Sequence, residues 1–187
     1  MIVELQERIV EYAASQLTAW IAADKSLVPA FADRPQILAA QPSHHFAEAL
    51  TLRDYHEREG WMGFAHYAIG DQYLGSARRR EGRRKLREII GARLLESILA
   101  LRATTAGTKY GAGEPDLFLF KPDGSFRFVE VKKGRDQLSP AQLTCIAQLL
   151  SVAHGCVDIV YARELRQRYS PRTYRFDLIR GVGERSA

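Results

Sequence analysis

The stretch that most constrains the fold lies at residues 117–132. Leu117-Phe118-Leu119-Phe120 is a short apolar run, and Phe126-Arg127-Phe128-Val129-Glu130-Val131-Lys132 alternates strictly. Between them, Lys121-Pro122-Asp123-Gly124-Ser125 has the composition of a turn. Strand side chains alternate between faces. The pattern therefore predicts a hairpin in which Phe126, Phe128, Glu130 and Lys132 share one face, and Arg127, Val129 and Val131 the other. If residues 121–125 form the loop, Phe120 pairs with Phe126, Phe118 with Phe128 and Asp116 with Glu130. Directly opposed residues place their Cβ atoms roughly 4.5–5.5 Å apart. Two Phe pairs then lie beneath two carboxylates, with Lys132 one step further along.

Two opposed carboxylates repel each other, and Lys132 offsets only one charge. A divalent cation would offset the rest and turn the repulsion into a binding site. Oxygen ligands suit a hard ion, Mg²⁺ or Mn²⁺, rather than zinc. Such an ion polarises a phosphate and acidifies a bound water, while a lysine orients that water or stabilises developing charge. This is chemistry for phosphodiester hydrolysis. Glu-x-Lys alone is a weak signal, common as a surface ion pair. Its combination with Pro115-Asp116 on one hairpin face carries the weight.

Around this hairpin the pattern is mixed. Ile2, Leu5, Ile9, Tyr12, Leu17 and Trp20 recur at three- and four-residue steps and predict one amphipathic helix to about Ala23. Pro29, Pro35 and Pro42 are expected to separate short helices. Residues 44–59 are expected to be helical, with a break at Gly60-Trp61-Met62-Gly63-Phe64 and helix again from Tyr67 to Leu74. Residues 78–101 read as one strong helix, with Leu86, Ile89, Ile90, Leu94, Leu95, Ile98 and Leu99 on its apolar face. Ser139-Pro140-Ala141-Gln142 opens another helix with Ser as N-cap, Pro at the first position and Gln as capping-box partner. Cys156 to Tyr161 reads as a further strand. The expectation is a mixed α/β core at 78–187 behind a helical N-terminal region at 1–77.

Charge is unevenly placed. The net charge is +5, but residues 1–71 hold five Lys or Arg against ten Asp or Glu, and residues 72–187 hold twenty-two against twelve. A basic half suits a polyanionic partner. Arg78, Arg79, Arg80, Arg83, Arg84, Lys85 and Arg87 crowd the start of the predicted helix, where like charges oppose both the dipole and one another. Phosphate contact by Arg79, Arg80, Arg83 and Arg84 is the reading this favours over a merely solvated face. Cys145 and Cys156 are too few for a zinc site and read as small core residues. His44, His45, His56 and His66 match no standard ligand spacing. No run is apolar enough to span a bilayer. With Glu4, Glu7 and Glu11 early in the chain, no signal peptide is expected and a cytoplasmic location is.

Three elements occur in order: Glu114-Pro115-Asp116-Leu117, Phe128-Val129-Glu130-Val131-Lys132, and Asp136-Gln137-Leu138-Ser139-Pro140-Ala141-Gln142. Together they resemble the VRR-NUC branch of the PD-(D/E)xK nucleases over about residues 107–161. The resemblance implies a restriction-endonuclease-like fold and Mg²⁺- or Mn²⁺-dependent nuclease activity on DNA. It implies Asp116, Glu130 and the Val131 carbonyl as metal ligands and Lys132 as the catalytic lysine. Gln142 matches the family glutamine, but equally sits where a capping box wants one. Lys133 and Arg135 are expected to touch phosphate; Lys133 stands where the family often has glycine. Family members usually add a helix carboxylate, for which Glu88 and Glu96 are the candidates. Eight residues apart, these two are rotated by about 80° and cannot both be centred on one target.

An active nuclease, structure-selective or general, acting on branched, flapped or duplex DNA is the leading reading; endo- versus exonucleolytic cutting, RNA and a homodimer stay open. The alternatives are a non-catalytic nucleic-acid-binding module on a nuclease fold and a protein-interaction adaptor working through the acidic N-terminal region.

Overall fold

A computed structural model of the chain describes residues 1–29, 45–65, 67–70, 75–103 and 113–186, apart from the side chain of Arg78. Among these residues lie strands β1 (Ile2–Gln6), β2 (Arg8–Tyr12), β3 (Met62–Phe64), β4 (Leu117–Phe120), β5 (Phe126–Lys133), β6 (Val157–Glu164), β7 (Thr173–Asp177) and β8 (Val182–Arg185). The helices are α1 (Ala14–Ile21), α2 (Phe46–Glu59), α3 (Ala77–Ile90), α4 (Ala92–Ala103) and α5 (Pro140–Val152). The result is the expected mixed α/β core, a mixed five-stranded sheet flanked by helices.

A five-stranded sheet runs in the order β2-β6-β5-β4-β3. Both β2 and β5 are parallel to β6, whereas β4 is antiparallel to both of its neighbours, β3 and β5. The parallel β5–β6 pair requires a crossover, which α5 supplies. A second, antiparallel sheet has the order β1-β7-β8. The β4–β5 hairpin has the expected register, with Phe118 opposite Phe128 and Phe120 opposite Phe126. Its alternation divides the core. Phe118, Phe128 and Ile159 pack with α3, α4, α5 and β7 on one side; Leu117, Leu119, Val129, Val131 and Val160 pack with α1 and α2 on the other.

Three expectations are corrected. Residues 2–12 are two strands, not a helix. Ile2, Leu5 and Ile9 fit a helical step, but Ile-Val pairs also fit strands, and edges of both sheets lie open beside them. Only Ala14–Ile21 is helical, its N-terminus closed by the Gln16 side chain on the Ala13 N–H at 2.8 Å. The region 1–77 thus contributes three strands to the sheets as well as α1 and α2. Residues 78–101 form two helices, broken at Gly91, whose φ of 83° and ψ of 154° no helix accommodates. Residues 67–70 are not helical, because the Ile69 and Gly70 N–H groups donate to the Glu114 carboxylate. Residues 71–74, and the predicted short helices around Pro35 and Pro42, lie outside the described residues. Strands β7 and β8 had no counterpart in the sequence reading. No described helix is long and apolar enough to cross a membrane.

Candidate active site

Asp116 stands one residue before the β4–β5 ladder, which begins at Leu117–Val129. Its Oδ2 accepts the Val131 N–H at 2.8 Å, which turns the carboxylate toward the end of β5. Glu130 is fully buried. Its Oε1 receives Lys132 Nζ at 2.5 Å and the Gln142 side-chain amide, while its Oε2 is enclosed without a hydrogen-bond partner. Asp116 is the neighbouring acid, and two carboxylates can bond only when one carries a proton. Desolvation, then repulsion from Asp116, pushes the Glu130 pKa up to about 8. Desolvation also raises Asp116, to about 6, against the opposing Val131 N–H and with repulsion from Glu48 adding to it. The structure therefore brings Asp116, Glu130, Lys132 and Gln142 into one constellation.

The sequence folds this way for local reasons. Tyr67 O–H donates to the Pro115 carbonyl at 2.7 Å. Glu114 accepts the Ile69 and Gly70 N–H groups at 3.0 and 2.9 Å. Together they fix the turn that presents Asp116. Gly113, at φ 77°, lets the same segment approach α5; an added Cβ would lie 2.3 Å from the Ala141 carbonyl oxygen. Gln142 then serves both of its readings at once. Its Oε1 accepts the Ser139 N–H at 2.9 Å and closes the capping box, while its Nε2 reaches Glu130.

A cleft of about 330 Å³ opens here, lined by Asp116, Val131, Lys132 and Lys133 from the hairpin and by His45 and Glu48 from the start of α2. Glu48 is the site residue that sequence reasoning missed. Burial opposes its ionisation, but the His45 hydrogen bond at 3.1 Å and nearby positive charge lower its pKa below the ordinary glutamate value. Nothing local distinguishes it from Asp54, Glu57 and Glu59 on the same helix; only the packing of α2 against β5 and β6 selects it. Glu88 and Glu96 do not fill this place. Glu88 is exposed and ion-pairs with Arg84, and Glu96 lines a separate groove between α3 and α4 with Arg80, Arg83 and Arg87.

The basic start of α3 is more tied down than its sequence suggests. Ser76 caps the helix by accepting the Arg79 N–H at 3.2 Å. Arg83 turns inward and donates to the Ala68 and Ile69 carbonyls. Arg84 lies between Glu81 and Glu88, and Lys85 also faces Glu81, at 3.8 Å. Arg79, Arg80, Arg84, Lys133 and Arg135 remain on the partly or fully exposed surface.

The residues fit a hard divalent cation. The donors are oxygens, one buried carboxylate oxygen is unmatched, and the two acids resist ionising together. Among the described residues, no three of His, Cys, Asp and Glu gather closely enough to enclose an ion by themselves. That suits Mg²⁺, which keeps much of its water and needs only one or two carboxylates.

The VRR-NUC domain family matches residues 77–164, from the first residue of α3 to the last of β6. No curated protein matches the chain. Among solved structures, the chain is similar to paFAN1 bound to a 2nt 5′ flap DNA with a gap, at 18% identity and a TM-score of 0.41. That similarity covers 89% of this chain and 33% of the other, so the chain spans about a third of its length. The family match includes all three sequence elements that carry Asp116, Glu130, Lys132 and Gln142, so residues 77–164 of this chain are similar to the VRR-NUC domain across the whole candidate site.

Proposed function

We propose that the chain is a Mg²⁺- or Mn²⁺-dependent nuclease that hydrolyses DNA phosphodiester bonds. The observation that carries this reading is the buried Glu130 carboxylate beside Asp116, with one oxygen held by Lys132 and Gln142 and the other unmatched. A structural ion pair would have no need of a second buried acid against it.

Asp116, Glu130 and the Val131 carbonyl would hold the ion, with Glu48 across the cleft as a further carboxylate. When bound, the ion supplies charge neutralisation at the phosphate and a more acidic water. The chain's own groups do the rest. Lys132, mostly buried, holds its ammonium where it can orient the attacking water or meet negative charge developing on the phosphate. Gln142 holds Glu130 through an amide hydrogen bond to Oε1, which leaves Oε2 unmatched. The Asp116 carboxylate is held by Val131 N–H and cannot swing away. Lys133 and Arg135, together with Arg79, Arg80 and Arg84 on α3, would position the phosphate backbone; Arg83 would act partly through the 68–69 segment it anchors. Phosphate contacts position a substrate without reading its sequence.

The test is cleavage of linear, flapped, branched and single-stranded DNA with Mg²⁺, Mn²⁺ or EDTA. Metal-dependent cutting that Lys132→Ala abolishes is expected, with branched or flapped DNA preferred. Binding to DNA without any cutting under all these conditions would reduce the chain to a nucleic-acid-binding module.

A further inference from the structure

The loop between β6 and β7 carries Leu165-Arg166-Gln167-Arg168-Tyr169-Ser170-Pro171-Arg172, with three arginines and no acid. The register places it beside the proposed site. Lys133 pairs with Ala162 in the parallel β5–β6 ladder, so the chain leaves both strands at the same end. Arg166 is four residues past Ala162, at most about 13 Å along the strand direction. A turn from Gln167 N–H to the Glu164 carbonyl then folds the loop back.

The loop is fastened to the segment that follows the catalytic strand. Tyr161 O–H donates to the Gly134 carbonyl at 2.5 Å, and its ring stacks on Tyr169 at 3.6 Å. Arg172 donates to the Asp136 carbonyl at 2.7 Å. Beneath them, the wholly buried Glu7 carboxylate accepts the Tyr169 and Tyr174 hydroxyls and the Arg172 N–H. These contacts use Tyr169 and Arg172 to anchor the loop to the 134–136 segment, and Arg166, Arg168 and Arg135 are all exposed. Arg135, Arg166 and Arg168 have no ion-pair partner among the described residues. In sequence, the adjoining 133–136 segment carries one acid, Asp136, to two bases, Lys133 and Arg135. This contrasts with α3, where Arg84 and Lys85 share glutamates of their own helix. Arg166 also holds a left-handed backbone, φ 72°, a conformation that persists for a non-glycine residue only where the surroundings fix it.

We infer that the β6–β7 loop, through Arg166 and Arg168, is a phosphate-binding surface that extends the Lys133–Arg135 edge of the cleft along the DNA backbone. The inference rests on the nuclease reading of the site. Duplex DNA presents one charge per roughly 1.7 Å of axis, so a duplex seated at Lys133 and running along this end of the sheet would present phosphates to both arginines.

The experiment measures binding of the full chain to labelled duplex and flapped DNA across a salt series, in EDTA and in Ca²⁺. The pair Arg166→Gln with Arg168→Gln is expected to weaken binding alike for unrelated sequences. It should flatten log K against log salt by about 1.8, two contacts at about 0.9 each. Arg166→Lys with Arg168→Lys keeps the charge and should restore the slope, which a packing role would not. A wild type that binds and cuts DNA, with a glutamine variant of unchanged affinity and slope, overturns the inference and leaves the nuclease reading standing. A wild type that neither binds nor cuts DNA overturns both. Retained DNA binding in the glutamine variant with loss of an acidic protein ligand assigns the loop to protein and also overturns the inference.

Discussion

Glu130 sits fully buried beside a second acid, and that arrangement makes opposite demands on stability and chemistry. Replacing Asp116 by Asn keeps an acceptor for the Val131 N–H and removes repulsion with Glu130 and Glu48. In EDTA, Asp116→Asn should therefore stabilise the protein by roughly 1 kcal/mol in urea unfolding, the kind of gain found where an active site carries strain. The same variant should lose nearly all cleavage and bind Mn²⁺ more weakly by titration calorimetry. Unchanged Mn²⁺ affinity would move the ligand set elsewhere. Lys132→Ala should also abolish cleavage, but for a different reason: it leaves the buried Glu130 without its cation, and a loss of stability of about 3 kcal/mol is expected alongside.

At the scale of elements, the site is where four pieces of chain meet: the Gly113–Asp116 turn, β5, the start of α5 and the start of α2. Gly113 shows how tight the junction is. Gly113→Ala meets both the left-handed backbone and the Ala141 carbonyl, and should destabilise by at least about 1 kcal/mol while displacing Gln142. Thermal unfolding and Mn²⁺ affinity should both fall; a Gly113→Ala protein equal to wild type in both would show that α5 has room to move. From α2, Glu48→Gln should weaken Mn²⁺ binding without unfolding the protein, since its side chain is partly exposed and bonds to His45. Preserved affinity would leave Glu48 a cleft neighbour and nothing more.

At the scale of the whole molecule, the N-terminal residues are stitched into everything else. Strand β1 pairs with β7 and β2 with β6, and Glu7 between them gathers the hydroxyls of Tyr169 and Tyr174. The family match begins only at residue 77, yet β2 and β3 complete the sheet that carries the site. Removing residues 1–12 should therefore abolish cooperative unfolding rather than liberate a working nuclease domain. A truncated chain with a sharp urea transition and wild-type cleavage would contradict this. Glu7→Ala offers a gentler probe: it strips an acceptor from several buried donors and should cost about 3 kcal/mol.

Much of the site was written locally. Strict alternation over 126–132 and a turn at 121–125 set the register, and register decides which residues share a face. Asp116, Glu130 and Lys132 were therefore legible as one group, and the Ser139-Pro140 start fixed where Gln142 falls on its helix. Information of this kind survives because hairpins and caps join residues close in sequence. The rest was decided by packing. Residues 2–12 carry a pattern that both helix and strand satisfy, and only the open edges at β6 and β7 resolve it. Glu48 is one of several acids on α2, and only the docking of that helix brings it to Asp116, 68 positions away in the sequence. The arginines of α3 look alike in one dimension, yet Arg83 turns to the 68–69 carbonyls and Arg84 to glutamates of its own helix. Their separation depends on which side of α3 meets the core, a property of the folded chain that local composition does not contain.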